Sequence, residues 1–179
     1  MVWLKILLFL AVIIGVFGIR IVSQWQKGVV FRLGKYVREI SPGLNIIIPI
    51  FEYVLYVDMR IRTMDVVPQE VMTKDSVPVK IDAVVYYKIF DAAKSIVAVE
   101  RFALASTLLA QSKLRDVLGK HDLDTLLSNK DQLGKEVLTA LQGPTDDWGI
   151  NIVSVEIKNI EIPDNMKRAM AKEAEAIRE

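Results

Sequence analysis

Residues 73–90, TKDSVPVKIDAVVYYKIF, contain the longest candidate strand of the chain. Side chains alternate between the two faces of a strand, so residues two apart share a face. The apolar members of one face are Val79, Ile81, Ala83, Val85, Tyr87 and Ile89, and the polar members of the other are Lys80, Asp82 and Lys88. The stretch therefore predicts a strand over 77–90 with one face in a core.

A second strand is expected directly before this one. Residues 64–73 are its predicted antiparallel partner, joined to it through Lys74-Asp75-Ser76. Pro68 and Pro78 lack the N–H group that a ladder uses, so a kink or an edge is expected at each. Further upstream, the turn residues Gly34-Lys35 and Ser41-Pro42-Gly43 separate short predicted strands over 29–33, 44–48 and 53–58.

After residue 90 the apolar spacing changes to that of helices. Asp91 is predicted to cap a short helix over 92–99, and a longer helix is predicted over 101–119. Its expected apolar face consists of Leu104, Leu108, Ala110, Leu114, Val117 and Leu118. The change of period indicates a mixed α/β fold, with a mostly antiparallel sheet and packed helices.

A third predicted helix opens at a capping box of Ser128 and Asp131 and stops at Gly143-Pro144. Its apolar stripe is Leu133, Val137 and Leu141. Residues 150–162 return to a strand, whose apolar phase changes between Ile157 and Ile160 and so predicts a bulge near Lys158-Asn159. Pro163 suits the first turn of a last helix.

The first 22 residues, MVWLKILLFLAVIIGVFGIRIV, form an apolar leader in which Lys5 is the only charge before Arg20. Residues 1–19 in a helix would reach about 28 Å, close to the hydrocarbon thickness of a bilayer. We therefore expect a retained single-pass membrane anchor; a cleaved signal peptide and a shallow re-entrant segment are the alternatives. The residues expected in the lipid are Trp3, Leu4, Ile6, Leu7, Leu8, Phe9, Leu10, Val12, Ile13, Ile14 and Phe17.

Charge and composition narrow the function classes. Residues 20–39 contain five basic residues and a single acidic residue, a glutamate. By the positive-inside tendency, we expect the folded part of the chain to lie in the cytoplasm. The whole chain carries a net charge of +1, so nucleic-acid binding is not expected.

Few residues of the chain could support catalysis or bind a metal ion. The chain has no cysteine and one histidine, His121, which we interpret as a solvated residue at a helix boundary. Ser76 has lysines near it, but a hairpin turn explains those residues more simply than a hydrolase. No catalytic, metal or cofactor site is therefore predicted.

Residues 44–51 form an uncharged apolar segment that contains a proline. It suits contact with a membrane beside the anchor, and it also suits burial in the core of the domain. We favour membrane contact because two basic residues, Lys35 and Arg38, precede the segment. The contact residues expected are Ile46, Ile47, Ile48, Pro49, Ile50 and Phe51.

The last residues of the chain indicate a helix that enters a coiled coil. Apolar residues recur at spacings of four, four and three among charges of both signs. They are Met166, Met170, Ala174 and Ile177, the predicted oligomerisation stripe. Because no cap follows, the chain is expected to be a piece of a longer coiled coil; a solvated terminal helix packed on its own domain is the alternative.

Many short motifs, in order and at the expected intervals, resemble the stomatin, prohibitin and flotillin superfamily, also called SPFH or band 7, and most closely its stomatin branch. They are Gly34-Lys35, Pro42-Gly43-Leu44, Ile48-Pro49-Ile50-Phe51, Thr73 to Val79, Ala83 to Tyr87, Leu114 to Gly119, Trp148-Gly149-Ile150, Val155-Glu156-Ile157 and Ala174-Glu175-Ala176. The chain departs from the family pattern at Ser76, where Asn is usual, and at Ile177, where an acidic residue is usual.

The resemblance implies a non-enzymatic, membrane-anchored scaffold that assembles into large homo-oligomers and organises membrane microdomains. It also implies regulation of membrane proteins or of proteolysis, with an NfeD-type membrane protein or membrane protease as a partner. A dedicated adaptor or substrate of one membrane-bound serine protease, acting without a ring, is the alternative. The expected organisation is an anchor over 1–22, a membrane-proximal lobe over 23–75, a second lobe over 76–162 and a coiled-coil helix from 163.

Overall fold

The computed structural model describes residues 17–164 and, outside that range, Trp3, Lys5, Ile6, Phe9, Val12, Gly15, Lys167 and Arg168. These residues divide into two compact units. The first contains the described residues up to Ile61, together with 88–100 and 148–150; the second contains 62–87, 101–147 and the described residues from Asn151 onward.

From residue 18 onward, the first unit contains five strands and a short helix. The strands are β1 (Ile19–Val22), β2 (Gln26–Arg32), β3 (Lys35–Ile40), β4 (Gly43–Ile46) and β5 (Glu52–Asp58), and the helix is α1 (Ala92–Val97). Strand β1 pairs with β4, and β2 pairs with both β3 and β5, all antiparallel. Residues 19–22, which the sequence predicted as the end of the anchor, thus form a strand that pairs with β4 along its whole length and buries Val22 in the core.

The core of the first unit lies where β1, β2 and β3 contribute Val22, Val30 and Ile40, with Val54 packed against them. Helix α1 begins at Asp91, whose carboxylate accepts the N–H of Lys94, as the sequence predicted. The Glu39 carboxylate accepts the Ala93 N–H at 3.0 Å and so ties the start of α1 to strand β3.

The second unit contains a sheet with the strand order β6 (Arg62–Met72), β7 (Pro78–Ile89) and β8 (Ile150–Glu161). Its described helices are α2 (Phe102–Leu118), α3 (Leu123–Ser128) and α4 (Lys130–Asp146). Strands β6 and β7 form an antiparallel hairpin, as predicted, and the register shifts between Val66 and Gln69, where Pro68 interrupts the ladder. Residues 75 and 76, where the sequence placed the division between lobes, lie in the turn of this hairpin.

The predicted alternation of β7 is confirmed. All six apolar residues of the expected core face are buried: Val79, Ile81, Ala83, Val85, Tyr87 and Ile89. The stripe of Leu133, Val137 and Leu141 on α4 is buried as well. Strand and helix periods therefore located most of the core of the second unit.

The predicted apolar face of α2 is partly wrong. Leu104 and Leu108 are exposed, whereas Ser106 is buried on the same face as Ala110 and Leu114. Successive helical residues are rotated by about 100°, so Leu104 lies about 200° from Ser106. The buried face is thus set by small residues at its N-terminal end, and the larger leucines lie on the opposite side.

The predicted boundaries of the third helix are also wrong. The Ser128 hydroxyl donates to the carbonyl of Asp124, which ends α3, so it does not cap α4; the cap position is Asn129. Helix α4 continues through Pro144 to Asp146. The Thr145 hydroxyl donates to the Leu141 carbonyl at 3.0 Å, which supports the last turn where the proline lacks an N–H.

The burial pattern of β8 changes phase twice. Ile150 and Ile152 are buried, and the next buried residues are Val155 and Ile157, so one change, which was not predicted, falls between residues 152 and 155. Lys158 and Asn159 are both exposed before the half-buried Ile160, so the predicted change near Lys158-Asn159 is also present. The N–H of Asn159 bonds the Asp82 carboxylate at 2.9 Å.

Among the described residues, none of the helices combines the length and apolar character that a membrane crossing requires. Of the predicted anchor, Trp3, Ile6, Phe9, Val12 and Phe17 are helical and exposed. Leu4, Leu7, Leu8, Leu10, Ile13 and Ile14 lie outside the described residues, as does the whole predicted oligomerisation stripe of Met166, Met170, Ala174 and Ile177. The Lys167 N–H donates to the Pro163 carbonyl at 3.0 Å, and the described residues Asp164, Lys167 and Arg168 are helical, as predicted for the part of the chain after Pro163.

Candidate functional site

Strands β1 and β4 place four large aliphatic residues on one exposed face. Ile19 lies opposite Ile46, and Ile21 lies opposite Leu44. Residues directly opposite each other in an antiparallel pair share a face, so the four form one patch, which we call the apolar ladder. All four are exposed, Ile21 at 77% and Leu44 at 68%. The four side chains are thus exposed to water, although large aliphatic side chains of a sheet are normally buried.

A second exposed apolar group lies at the loops that follow β2 and β4. We call it the apolar tip, and its members are Leu33, Ile48, Ile50 and Phe51. Ile50 is 92% exposed and Leu33 is 79% exposed. The N–H of Leu33 donates to the carbonyl of Phe51 at 3.0 Å, so the two loops are joined. The chain runs directly from the apolar ladder at Ile46 into the tip at Ile48. Exposed apolar groups of this extent are typical of protein-binding or membrane-binding surfaces.

The backbone of the tip is held in an unfavourable conformation. Leu33 has φ of 50° and Ile50 has φ of 78°, both in the left-handed region. A β-branched residue such as Ile50 is an outlier there, and the cost for a non-glycine residue is about 1–2 kcal/mol. Leu33 and Gly34, whose φ is 84°, form a two-residue hairpin loop in which Asn-Gly is the favoured pair. Aliphatic side chains therefore occupy two exposed positions where stability alone favours glycine or asparagine.

A buried carboxylate lies beneath the tip. Glu52 Oε1 accepts Arg32 Nη2 at 2.7 Å and Arg38 Nη1 at 3.1 Å. Glu52 Oε2 accepts the N–H of Ile48 at 2.9 Å. The carboxylate thus holds the loop at Ile48 and fixes two arginine side chains, which are themselves 46% and 38% exposed.

The surroundings of Glu52 keep it ionised. Burial raises the pKa of the carboxyl group, but the N–H of Ile48 and the two guanidinium groups outweigh burial and lower the pKa to about 2. An unpaired charge at this depth would be costly, so the arginines and the carboxylate stabilise one another.

A small cavity adjoins this cluster. It has a volume of about 320 Å³ and is lined by Arg20, Ile47, Glu52, Tyr53, Val54 and Tyr56. Arg20 lies on the face of β1 opposite the apolar ladder. A third arginine therefore borders the cavity that Glu52 lines.

The predicted membrane-contact segment divides in two. Ile46, Ile48, Ile50 and Phe51 are exposed, and Pro49 is partly exposed. Ile47 is buried at 2% exposure, and its N–H donates to the Gly18 carbonyl at 2.8 Å. Core burial, the alternative interpretation of this segment, thus holds for Ile47 alone, and the expectation of membrane contact there is corrected.

Sequence reasoning missed much of this surface. Leu33, the outward face of β1 and the Arg32–Glu52–Arg38 cluster were not predicted as parts of a site. An apolar residue before Gly34, in a turn that favours asparagine, was an available signal for Leu33. The pairing of Glu52 with two arginines 14 and 20 residues away depends on strand register, which the sequence pattern did not define.

Three polar residues of the second unit, His121, Ser76 and Asp122, each have a local structural role. His121 lies between α2 and α3, as expected, but it is only partly solvated: its side chain is 25% exposed and its Nε2 lies 2.9 Å from Glu136 Oε2. Ser76 occupies the turn of the β6–β7 hairpin with φ of 63°, and Asp122 caps α3. No group of three or more His, Asp or Glu side chains in the described part of the chain could hold a metal ion.

Comparison with known proteins gives one consistent result. Residues 20–179 match the family profile described as SPFH domain / Band 7 family. A stomatin homologue of Pyrococcus abyssi is 44% identical over 174 residues, which cover 97% of this chain and 65% of that protein. Stomatin of Mus musculus is 40% identical over 163 residues, covering 90% of this chain and 57% of that protein. The chain therefore spans less than two thirds of the length of these relatives.

Proposed function

Because the chain belongs to the SPFH domain / Band 7 family, we propose that it is a membrane-anchored scaffold that self-associates and organises a patch of bilayer. The apolar leader tethers the chain, and the first unit lies against the headgroup region. Regulation of membrane proteins or of membrane proteolysis, with an NfeD-type partner, belongs to the same proposal.

The exposure of Leu33 and Ile50 at left-handed backbone positions is the observation that carries this function. Leu33 and Ile50 destabilise the turns in which they lie, and their side chains are exposed to water. Their transfer from water into lipid is therefore favourable. Transfer of apolar surface to lipid gains about 25 cal/mol per Å². A lipid surface is favoured over a partner protein because the tip and the apolar ladder lie in the same unit as the end of the leader.

Self-association strengthens the contact of the first unit with the bilayer. Beside the leader, a tip of four residues gives one chain only a modest and reversible contact with the headgroup region. Linking many copies turns each further contact into an intramolecular event, so avidity grows without any new type of contact. The stripe of Met166, Met170, Ala174 and Ile177 is proposed to make that link.

The membrane contact is tested with a single reporter. Since the chain has no cysteine, Ile50→Cys in the full chain takes an environment-sensitive fluorophore at one site only. In phosphatidylcholine vesicles we expect a blue-shifted emission that brominated lipids quench. Ser112→Cys, at an exposed position on α2 in the second unit, is the matched control and should stay unquenched. Equal, water-like emission at both positions would overturn the proposed contact.

The scaffold is tested separately by particle size. The full-length protein, extracted from membranes in mild detergent, should form particles of many copies. A small complex of fixed stoichiometry with a membrane protease would instead support the adaptor function and contradict the scaffold.

A further inference from the structure

We propose that the arginines around Glu52 form a binding site for the phosphate of anionic phospholipid headgroups. This inference rests on the proposed function, because the site adjoins the apolar tip that would enter the bilayer. Anionic phospholipids are then the lipid class that the first unit selects.

Arg32 and Arg38 each have N–H donors that their contacts with Glu52 do not use. A guanidinium group has five N–H donors. Arg32 uses Nε and Nη2 on Glu52 Oε1, at 3.0 and 2.7 Å. Arg38 uses Nη1 and Nη2 on Glu52, at 3.1 and 3.3 Å, and Nη2 also bonds the Ile46 carbonyl at 3.2 Å. Among the contacts of the described residues, each arginine therefore keeps N–H groups for another acceptor, and both side chains reach solvent.

Glu52 pre-organises these donors. Its side chain is completely buried, and its carboxylate fixes both guanidinium planes while neutralising only one of their two charges. A guanidinium fork matches phosphate geometry, and fixing it in advance reduces the entropy lost when it binds. Two arginines bound to one carboxylate, together with Arg20 at the adjoining cavity, give these four residues a net charge of +2.

The position of the cluster suits a headgroup. Glu52 follows directly after Phe51 of the tip, and its carboxylate bonds the N–H of Ile48 in the same loop. When Ile50 and Phe51 enter the acyl region, the arginines are carried to the level of the phosphates. Basic residues beside an inserted apolar group are typical of anionic-lipid binding.

The experiment compares quenching of the fluorophore at Ile50→Cys, in the full chain, by brominated phosphatidylglycerol and by brominated phosphatidylcholine at equal content. The attraction of one basic residue to an anionic surface predicts that phosphatidylglycerol is enriched near the label about fivefold. The preference should persist in an excess of soluble glycerol phosphate, and its loss there would assign the site to a free phosphate and overturn the proposal.

The variants keep the net charge constant, so that only the arginine fork is tested. Arg32→Lys keeps the charge and loses the planar fork, and Lys35→Arg is its matched control at an exposed position. The double variant Arg32→Gln with Glu52→Gln removes one charge of each sign, which avoids a buried unpaired carboxylate. We expect the preference to fall at least twofold in Arg32→Lys and in the double variant, and to stay unchanged in Lys35→Arg.

The outcomes separate the two proposals. Equal quenching by both lipids in the unsubstituted cluster, or an unchanged preference in Arg32→Lys and the double variant, would overturn the headgroup site alone. Absence of quenching by either lipid would overturn the membrane contact and the headgroup site together.

Discussion

The backbone N–H of Leu33 donates to the carbonyl of Phe51 at 3.0 Å. This bond joins a hairpin turn to the loop before β5, and each carries an aliphatic residue with positive φ, Leu33 and Ile50. Stability would favour other residues at both positions, so their presence indicates that the tip serves a purpose other than folding.

Removing the side chains from the tip is predicted to stabilise the protein and weaken its membrane contact. Leu33→Asn creates the favoured Asn-Gly pair, and Ile50→Gly relieves the left-handed strain. Each should raise the free energy of unfolding by about 1 kcal/mol, measured by urea denaturation in mild detergent. Quenching of a fluorophore at Phe51→Cys by brominated lipids should decrease in both variants.

Leu44→Asn provides the control for this pair, because Leu44 is exposed on the apolar ladder and has no positive φ. It should reduce contact with lipid without raising stability. If Ile50→Gly lowered stability and left quenching unchanged, the trade-off argued for the tip would be contradicted.

Glu52 makes stability depend on pH. Since the pKa of its carboxyl group lies at about 2 in the folded chain, against an ordinary value of 4.5, the unfolded chain takes up the proton first as the pH falls. The contribution of Glu52, about 3 kcal/mol, is therefore complete above about pH 5 and is lost as the pH falls towards 2. In Glu52→Gln we expect a free energy of unfolding about 3 kcal/mol lower at pH 7, with the gap to the unsubstituted chain mostly closed at pH 2.5.

Asp65→Asn is the matched control for Glu52→Gln. Asp65 pairs with Lys158 at 2.7 Å, but its side chain is 78% exposed, and exposed ion pairs contribute little. This variant should follow the unsubstituted chain across the whole pH range. A gap between Glu52→Gln and the unsubstituted chain that stayed constant with pH would show that packing, and not charge, accounts for Glu52.

Much of the fold could be predicted because its patterns are local. The alternation around Ile81 located β7, Pro68 located a break in β6, and Asp91 located the start of α1. The predictions failed in two different ways. The exposure of Leu104 depends on which side of α2 packs, which is a tertiary contact. The start of α4 was misplaced because the Ser128 hydroxyl bonds the Asp124 carbonyl, four residues earlier in α3, and this local bond competes with the capping box that the sequence also allows.

The candidate site divides in the same way. The sequence indicated an apolar segment that ends at Phe51, but it could not tell the buried Ile47 from the exposed Ile48. Both residues follow the end of β4, and their backbone N–H groups bond different partners, the Gly18 carbonyl for Ile47 and the Glu52 carboxylate for Ile48. The Glu52 cluster was not predictable, since Arg32 and Arg38 meet one carboxylate only after β2, β3 and β5 are paired.

The turn between β6 and β7 is predicted to gain stability from Asn. Ser76 has φ of 63°, and its N–H donates to the Thr73 carbonyl at 3.0 Å. Asparagine tolerates the left-handed region better than serine does, so Ser76→Asn should raise the free energy of unfolding by about 0.5 kcal/mol. Ser112→Gly, on the exposed side of α2, should lower it by a similar amount, about 0.5 kcal/mol. A loss of stability in Ser76→Asn in urea denaturation would contradict this account of the turn.

Gly134 is predicted to be irreplaceable although it lies within a helix. A Cβ atom at this position of α4 would collide with the backbone carbonyl of Val155 on β8, which cannot yield as a flexible side chain can. Alanine normally stabilises a helix by about 1 kcal/mol relative to glycine, so a simple helix argument predicts a gain. We expect Gly134→Ala instead to lower the free energy of unfolding by about 2 kcal/mol, because α4 must move away from the sheet. Thr139→Ala, at an exposed position of the same helix, should raise it by a few tenths of a kcal/mol. Opposite signs for these two alanine variants in urea denaturation would establish that close contact between helix and sheet, rather than helix propensity, determines the residue at position 134.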